Sequence, residues 1–166
     1  MNESRVGLGI DVHRLVAGRP LILGGVEVLF DRGLLGHSDA DVLTHAVCDA
    51  LLGAAGLGDI GIHYPDTDKR FRGISSLRLL EDVIDKLRGA GWRVVNVDAT
   101  VIAERPRLSR YFDAMRANVA HVLGIDETRV NIKATTSETM GAIGRGDGIA
   151  AWAVCLIQAA SECPDT

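Results

Sequence analysis

The chain has 166 residues, 47% hydrophobic and 24% charged, an ordinary composition for one globular domain with a sizeable core. Its 18 basic and 22 acidic side chains leave a net charge of -4, which speaks against binding a nucleic-acid backbone and leaves small anionic ligands open if a metal or backbone amides supply positive potential. The three cysteines, Cys48, Cys155 and Cys163, have no metal-ligand spacing and are odd in number, as expected of thiols in a reducing, cytoplasmic setting.

Taken in chain order, residues 6–13 read as a strand, with Val6, Leu8, Ile10 and Val12 alternating. Two short apolar pieces around Gly24 and Gly25 suit a hairpin turning at the glycines. "HSDADVLTHAVCDALLGAAG" reads as a helix capped by Ser38 or Asp39 and closed near Gly53 and Gly56. "LGDIGIHYPDTDKRFRG" reads as a loop. An amphipathic helix follows, with Leu77, Leu80, Val83, Ile84 and Leu87 at the 3.6 period and Gly89 and Gly91 ending it. "WRVVNVDATVIAE" suits a long strand with Val95, Val97, Ala99 and Val101 on one face, then a helix over 109–123 and a strand at "RVNIKATT". The glycine-rich "GAIGRGDG" leads into "IAAWAVCLIQAA", a final strand or, because its alanines blur the period, a helix. No repeat, linker or run of about 18 apolar residues interrupts this order. The interleaving predicts one α/β domain of the α+β type over 1–166, with a mixed sheet and helices on one face. The long strands are apolar on both faces, so a layer or another subunit should cover each.

Candidate chemistry concentrates in two places. Asp11 and His13 lie two apart in a strand and so project from the same face. Asp41, His45 and Asp49 follow the i, i+4, i+8 spacing of one helix face, with Ser38 near the same line. That stripe alone equally suits a solvated face. Joined to the strand pair, His45 completes one carboxylate and two imidazoles, the donor set of a catalytic zinc site with an open fourth position, though manganese or ferrous iron also fit. The acidic loop with Asp59, Asp66 and Asp68 is a solvated loop or a flap binding hydroxyls. In "KATTSETMGAIGRGDG", the amides and hydroxyls of Thr135, Thr136 and Ser137 could cradle a phosphate and Glu138 a hard divalent cation; a plain turn is the alternative.

Together, "GIDVHRL", "LLGHSDADVLTHAVCDALLGAAGLGDIGIHYPDTD", "NVDATVIAERPRL" and "NIKATTSETMGAIGRGDGIA" resemble, in order and spacing, the 2-C-methyl-D-erythritol 2,4-cyclodiphosphate synthase family of the non-mevalonate isoprenoid pathway, over about 6–156. The resemblance implies a homotrimer with active sites between subunits. It implies zinc on Asp11, His13 and His45, and magnesium or manganese on Glu138 with the substrate phosphates. It places transition-state stabilisation on His37 and Thr136, with Ser38 beside His37. Asp59 and Gly61 would bind the cytidine ribose, and Tyr64, Asp66 and Asp68 would belong to a flap over the methylerythritol end. Ala103, Arg107, Leu108 and Thr135 would line the cytosine pocket, and Ala142 and Arg145 would be further ligand-facing positions. The implied reaction is attack of the 2-phosphate of 4-diphosphocytidyl-2-C-methyl-D-erythritol 2-phosphate on the β-phosphate, expelling CMP. The familiar "GFTGRGEG" reads "GAIGRGDG" here, so Ala142 replaces an aromatic and Asp147 a glutamate. That departure bears on an isoprenoid cavity on the trimer axis and leaves the metal positions intact. His63 is a conceivable extra ligand, and Asp49 a supporting or interface residue. Competing expectations are a metal-dependent phosphohydrolase on the same triad and a non-catalytic isoprenoid-phosphate-binding trimer.

Overall fold

In the computed structural model, which describes residues 3–160, the first strand runs well past the GIDVHRL stretch: β1 spans Ser4–Ala17. The hairpin is β2 (Leu21–Leu23) and β3 (Val26–Val28), turning at Gly24 and Gly25, both with positive φ as such a turn requires. A further strand that the sequence pattern does not reveal, β4 (Arg32–Leu34), pairs antiparallel with the end of β1. Three residues are too few to show a period. Then come α1 (Val42–Ala55), a short helix α2 (Ile60–His63), a 3-10 turn (Lys69–Phe71) and α3 (Ser76–Gly89). β5 (Trp92–Ile102), α4 (Phe112–Leu123), β6 (Val130–Thr135), the single helical turn α5 (Gly141–Gly144) and β7 (Gly148–Ala159) complete the chain. The final apolar run is therefore strand, not helix. The main sheet is ordered β4-β1-β7-β5-β6, antiparallel except for the parallel pair β5–β6, which makes it mixed as expected. Cys163 lies outside the described residues.

Three sequence expectations are corrected. Asp41, not Ser38 or Asp39, caps α1. Its fully buried carboxylate accepts hydrogen bonds from the Thr44 amide and hydroxyl and from the Gly24 and Gly25 amides at 2.7–3.0 Å, so it ties the hairpin turn to the helix start. Asp41 is thus no part of a solvated stripe. The loop over 57–73 contains α2 and a 3-10 turn, each opened by an aspartate accepting from a backbone amide: Asp59 from Ile62 and Asp68 from Arg70. In β5 the register against β7 slips between Val94 and Asn96, so Val94 and Val97 both face the core while Val95 turns away from it.

The helices cover one face of the sheet. α1 lies on β1 and β7, α4 on β6, and α3 packs on α1 and α4. β7 sends Ile149, Ala151, Ala153, Cys155 and Ile157 into this layer. The approach of α1 is set by Gly7 and Gly9. A Cβ at Gly7 would stand 1.9 Å from the Ala50 carbonyl oxygen, and one at Gly9 would stand 2.0 Å from that of Ala46. Two glycines spaced i, i+2 thus open a slot for the helix backbone, and the next two residues on the same face are Asp11 and His13. The opposite face stays bare: Val6, Leu8, Ile10 and Val12 are 50–68% exposed, beside exposed Trp152 and Val154 of β7.

This packing makes opposite predictions for two glycines. Gly9→Ala should cost about 1–3 kcal/mol or more, because overpacking here meets backbone that cannot rotate away. Gly53→Ala, in an exposed helical position with nothing within 4 Å of its Cβ, should stabilise by roughly 0.5–1 kcal/mol. Urea denaturation checks both; equal shifts would rule out the slot.

Candidate metal centre and adjoining cavities

The slot brings His45 of α1 onto the strand pair. Asp11 Oδ2 lies 2.9 Å from His13 Nε2 and 3.0 Å from His45 Nδ1, and the two nitrogens are 3.3 Å apart. Bonds of about 2.0–2.1 Å around a tetrahedral ion would hold such donors about 3.3 Å apart. The triad is within about half an ångström of that spacing. Among the described residues it is the one group of His, Cys, Asp or Glu donors close enough to share an ion.

The surroundings of each imidazole fix its tautomer. His13 Nδ1 lies 2.8 Å from the Leu35 carbonyl, which can only accept, so Nδ1 carries the hydrogen and Nε2 turns a lone pair on the triad centre. Ser76 Oγ donates to Asp39 Oδ1 and so accepts, at 2.8 Å, the Nε2 hydrogen of His45, leaving His45 Nδ1 as a second inward lone pair. Ser38 Oγ adds a contact to His45 Nε2 at 3.2 Å. Three acceptors therefore converge on one point, where a bound cation would relieve their mutual repulsion. Where a proton takes the place of such a cation, burial still works against the charge of Asp11, but hydrogen bonds from His13 and His45 and their charge outweigh it and hold the carboxyl far below the usual range. For His13, burial opposes the cation and Asp11 more than offsets it, so its pKa is raised. Both shifts describe a site with a strong preference for positive charge.

The triad forms one wall of a cavity of about 210 Å³, lined also by His37, Ser38, Gly61, Tyr64 and Asp66. His37 Nε2 donates to the Asp68 carbonyl at 3.0 Å, which orients the ring. The Asp68 carboxylate, expected over the ligand, instead pairs with Arg70, and that of Asp59 accepts from the Ile62 amide at 2.9 Å. The Tyr64 hydroxyl is likewise committed, donating to Asp82 at 2.6 Å, so this residue offers the cavity its ring. His63 turns to the Leu57 carbonyl, 2.8 Å away, and does not join the triad. Asp49 gains a definite role: it accepts from the Ile60 amide at 2.7 Å and anchors the start of α2, where Asp59 and Gly61 sit.

Ala103, Arg107, Leu108, Thr135 and Thr136 line a different cavity of about 390 Å³, which shares no residue with the first. Arg145 lines a third of about 370 Å³ with Arg32 and Arg105, and pairs with Asp147, while Ala142 is exposed in α5. Next to Thr136, Glu138 and Thr139 hold positive φ of 53° and 62°, and Ala40 beside Ser38 holds 59°. Such residues cost about 1–3 kcal/mol each and gather at functional sites. Here all three non-glycine examples among the described residues lie at, or within two residues of, candidate ligand positions. Sequence reasoning missed Ser76, the outer partner of His45, and Glu104, which binds the 137–139 turn. Ser76 reads in sequence only as an N-terminal helix residue, and Glu104 as one charge in a loop.

The model of the YgbB family matches residues 4–158. A Laribacter hongkongensis protein named 2-C-methyl-D-erythritol 2,4-cyclodiphosphate synthase is 60% identical over 154 residues, 93% of this chain and 95% of that protein. Among solved structures, the bifunctional IspDF from Campylobacter jejuni superimposes with a TM-score of 0.92 at 46% identity, over 96% of this chain and 43% of that one. The Plasmodium falciparum IspF–CDP complex superimposes with a TM-score of 0.84 at 31% identity, over 97% and 99% of the two chains.

Removing the outer partner of His45 tests the triad without touching a ligand. Ser76→Ala should weaken Co2+ binding by about 10–100-fold, read from the cobalt absorption bands in competition with a chelator, with little change in melting temperature. An unchanged affinity would show that Ser76 does not hold His45.

Proposed function

This chain belongs to the YgbB family, and on that footing we propose that it is a 2-C-methyl-D-erythritol 2,4-cyclodiphosphate synthase, a lyase of non-mevalonate isoprenoid biosynthesis. It converts 4-diphosphocytidyl-2-C-methyl-D-erythritol 2-phosphate to the cyclic diphosphate and CMP. The observation that carries the reading is the convergence of Asp11 Oδ2, His13 Nε2 and His45 Nδ1 on one point at the wall of a cavity. The donor set suits zinc, and Glu138 suits magnesium or manganese shared with the substrate phosphates. When bound, these ions supply charge neutralisation and orientation of the phosphates.

The chain's own residues do the rest by positioning. His37, held on the Asp68 carbonyl, presents its ring to the cavity beside the triad, and Thr136 offers a hydroxyl that now donates to Glu138 Oε1 at 2.9 Å. Both are assigned to stabilising charge on the transferring phosphoryl group. Asp66 and Gly61, which line the triad cavity, are assigned to the methylerythritol hydroxyls and the ribose, the latter with neighbouring Asp59, and Ala103, Arg107, Leu108 and Thr135, which line the second cavity, to the cytosine. No residue is assigned as nucleophile or strong base, because the attacking phosphate is already ionised. Buried Cys48 and Cys155 play no part, and burial pushes the Cys155 thiol up to about 11. A phosphohydrolase on the same triad gains no support, since the relatives are named as synthases.

The assembly is proposed as a homotrimer of single domains, with each active site between neighbours and the enzyme in the cytoplasm. Two observations support this. The triad cavity and the 103–109 cavity share no lining residue, as expected if neighbouring chains bring the two together. The bare apolar strip of β1 and β7 is a large surface to leave in water.

Incubation with the cytidylyl substrate, followed by 31P NMR, should show CMP and a cyclic diphosphate in equal amounts. A linear product carrying an added water would favour the hydrolase. His45→Ala should lose the bound ion and more than about a hundredfold in rate, beyond the 10–100-fold usual for an outer partner. Leu8→Asp, on the bare face, should give monomers by light scattering that still bind Co2+ but release no CMP; an active monomer would overturn the shared site.

A further inference from the structure

Glu104 follows β5 and is half-buried between two cavities, one with Thr135 and Thr136 and one with Arg105, Arg145 and Thr139. A single oxygen, Oε1, faces the Ser137 amide at 2.9 Å, the Ser137 hydroxyl at 3.1 Å and the Thr139 amide at 3.2 Å. These donors bracket Glu138. With Thr139 it forms two successive left-handed residues, a conformation that side chains resist and that only a tightly constrained turn sustains. The turn is pressed from the other side as well. A Cβ at Gly144 would stand 2.1 Å from the Thr139 carbonyl carbon, so the glycine-rich segment admits that backbone at full contact. Between these supports, the Glu138 carboxylate is held against the Thr136 hydroxyl.

We propose that Glu104 is a positioning residue that fixes the 137–139 turn, and through it aims the Glu138 carboxylate at a divalent cation shared with the substrate diphosphate and the Thr136 hydroxyl at that diphosphate. The inference rests on the synthase reading above and adds to it the device that holds Glu138 in place. Glu104 acts through the reach of Oε1, not through its charge: the Ser137 and Thr139 amides take the two lone pairs of one oxygen, which a glutamine carbonyl also offers, while the Ser137 hydroxyl can turn to the Met140 carbonyl at 3.0 Å.

Two substitutions separate these properties. Glu104→Gln keeps the acceptor oxygen at the same reach and loses the charge; Glu104→Asp keeps the charge and loses the reach. Mn2+ binding in the presence of CDP, followed by the EPR signal of free Mn2+, should be near wild type in E104Q and about 10–100-fold weaker in E104D. Hydrogen exchange at the Ser137 and Thr139 amides should quicken in E104D alone. Co2+ binding at the triad should be unchanged in both, and the Mn2+ concentration for half-maximal CMP release should rise in E104D while kcat at saturating Mn2+ stays within a few-fold. If E104Q loses Mn2+ as Glu138→Gln does, Glu104 ligates the ion directly and positioning is wrong. If E104D binds Mn2+ like wild type, Glu104 holds nothing of consequence. The synthase reading fails separately: wild-type protein would then yield no cyclic diphosphate, whatever the variants bind.

Discussion

The backbone of α1 rests on β1 at Gly7 and Gly9 so closely that any side chain there would collide with a helix carbonyl, and this contact sets the geometry of everything beyond it. A helix a few ångströms higher would leave His45 short of Asp11, because an imidazole reaches only so far from its backbone. The same strand that gives up side chains at 7 and 9 supplies ligands at 11 and 13, on the same face and in the same pleat. Rigidity is continuous from the sheet into the site: β1 pairs with β7 from Ser4 through Arg14, and the Asp11–His13 stretch lies inside that ladder. A loop-borne site would have to be ordered by its ion; this one is shaped before any ion arrives.

Around that frame the polar groups are spent in a consistent direction. Asp39, Ser76 and Leu35 each take a hydrogen-bonding role that turns an imidazole lone pair inward, and Asp41 is consumed in tying the hairpin to α1. Every acid of the HSDAD segment is therefore committed to holding structure, while Asp11 alone faces the centre. The second candidate ion position follows a different plan. Glu138 stands on a strained, exposed turn whose backbone amides donate to the Glu104 carboxylate from outside it. One centre is preset by packing and the other by a clamp.

Much of this was legible in the sequence. The D-x-H pair required only the strand period, and His45 followed from helix spacing, so the triad could be assembled before any coordinates. The mixed sheet, the hairpin at Gly24 and Gly25 and the amphipathic α3 were legible for the same reason, since each has a local signature. What stayed hidden was non-local. The cap of α1 fell to Asp41 because Ser38 and Asp39 were drawn to His45 and Ser76, contacts that spacing does not encode. The bulge at Val95 depends on the partner strand, and the loop acids Asp59 and Asp68 proved to be caps of short turns. Nothing local marks Gly7 and Gly9 as a helix slot, although two glycines in an apolar strand are the trace it leaves.

Asp11, His13 and His45 thus form a preset cation site whose tautomers are dictated by Leu35 and Ser76. The decisive experiment is a crystal of the zinc-loaded protein, with anomalous diffraction at the zinc edge. One ion per chain is expected, bound by Asp11 Oδ2, His13 Nε2 and His45 Nδ1 at about 2.0–2.2 Å, with the remaining coordination open to the cavity. An ion held elsewhere, or reached through His45 Nε2 with the Ser76 contact broken, would contradict it.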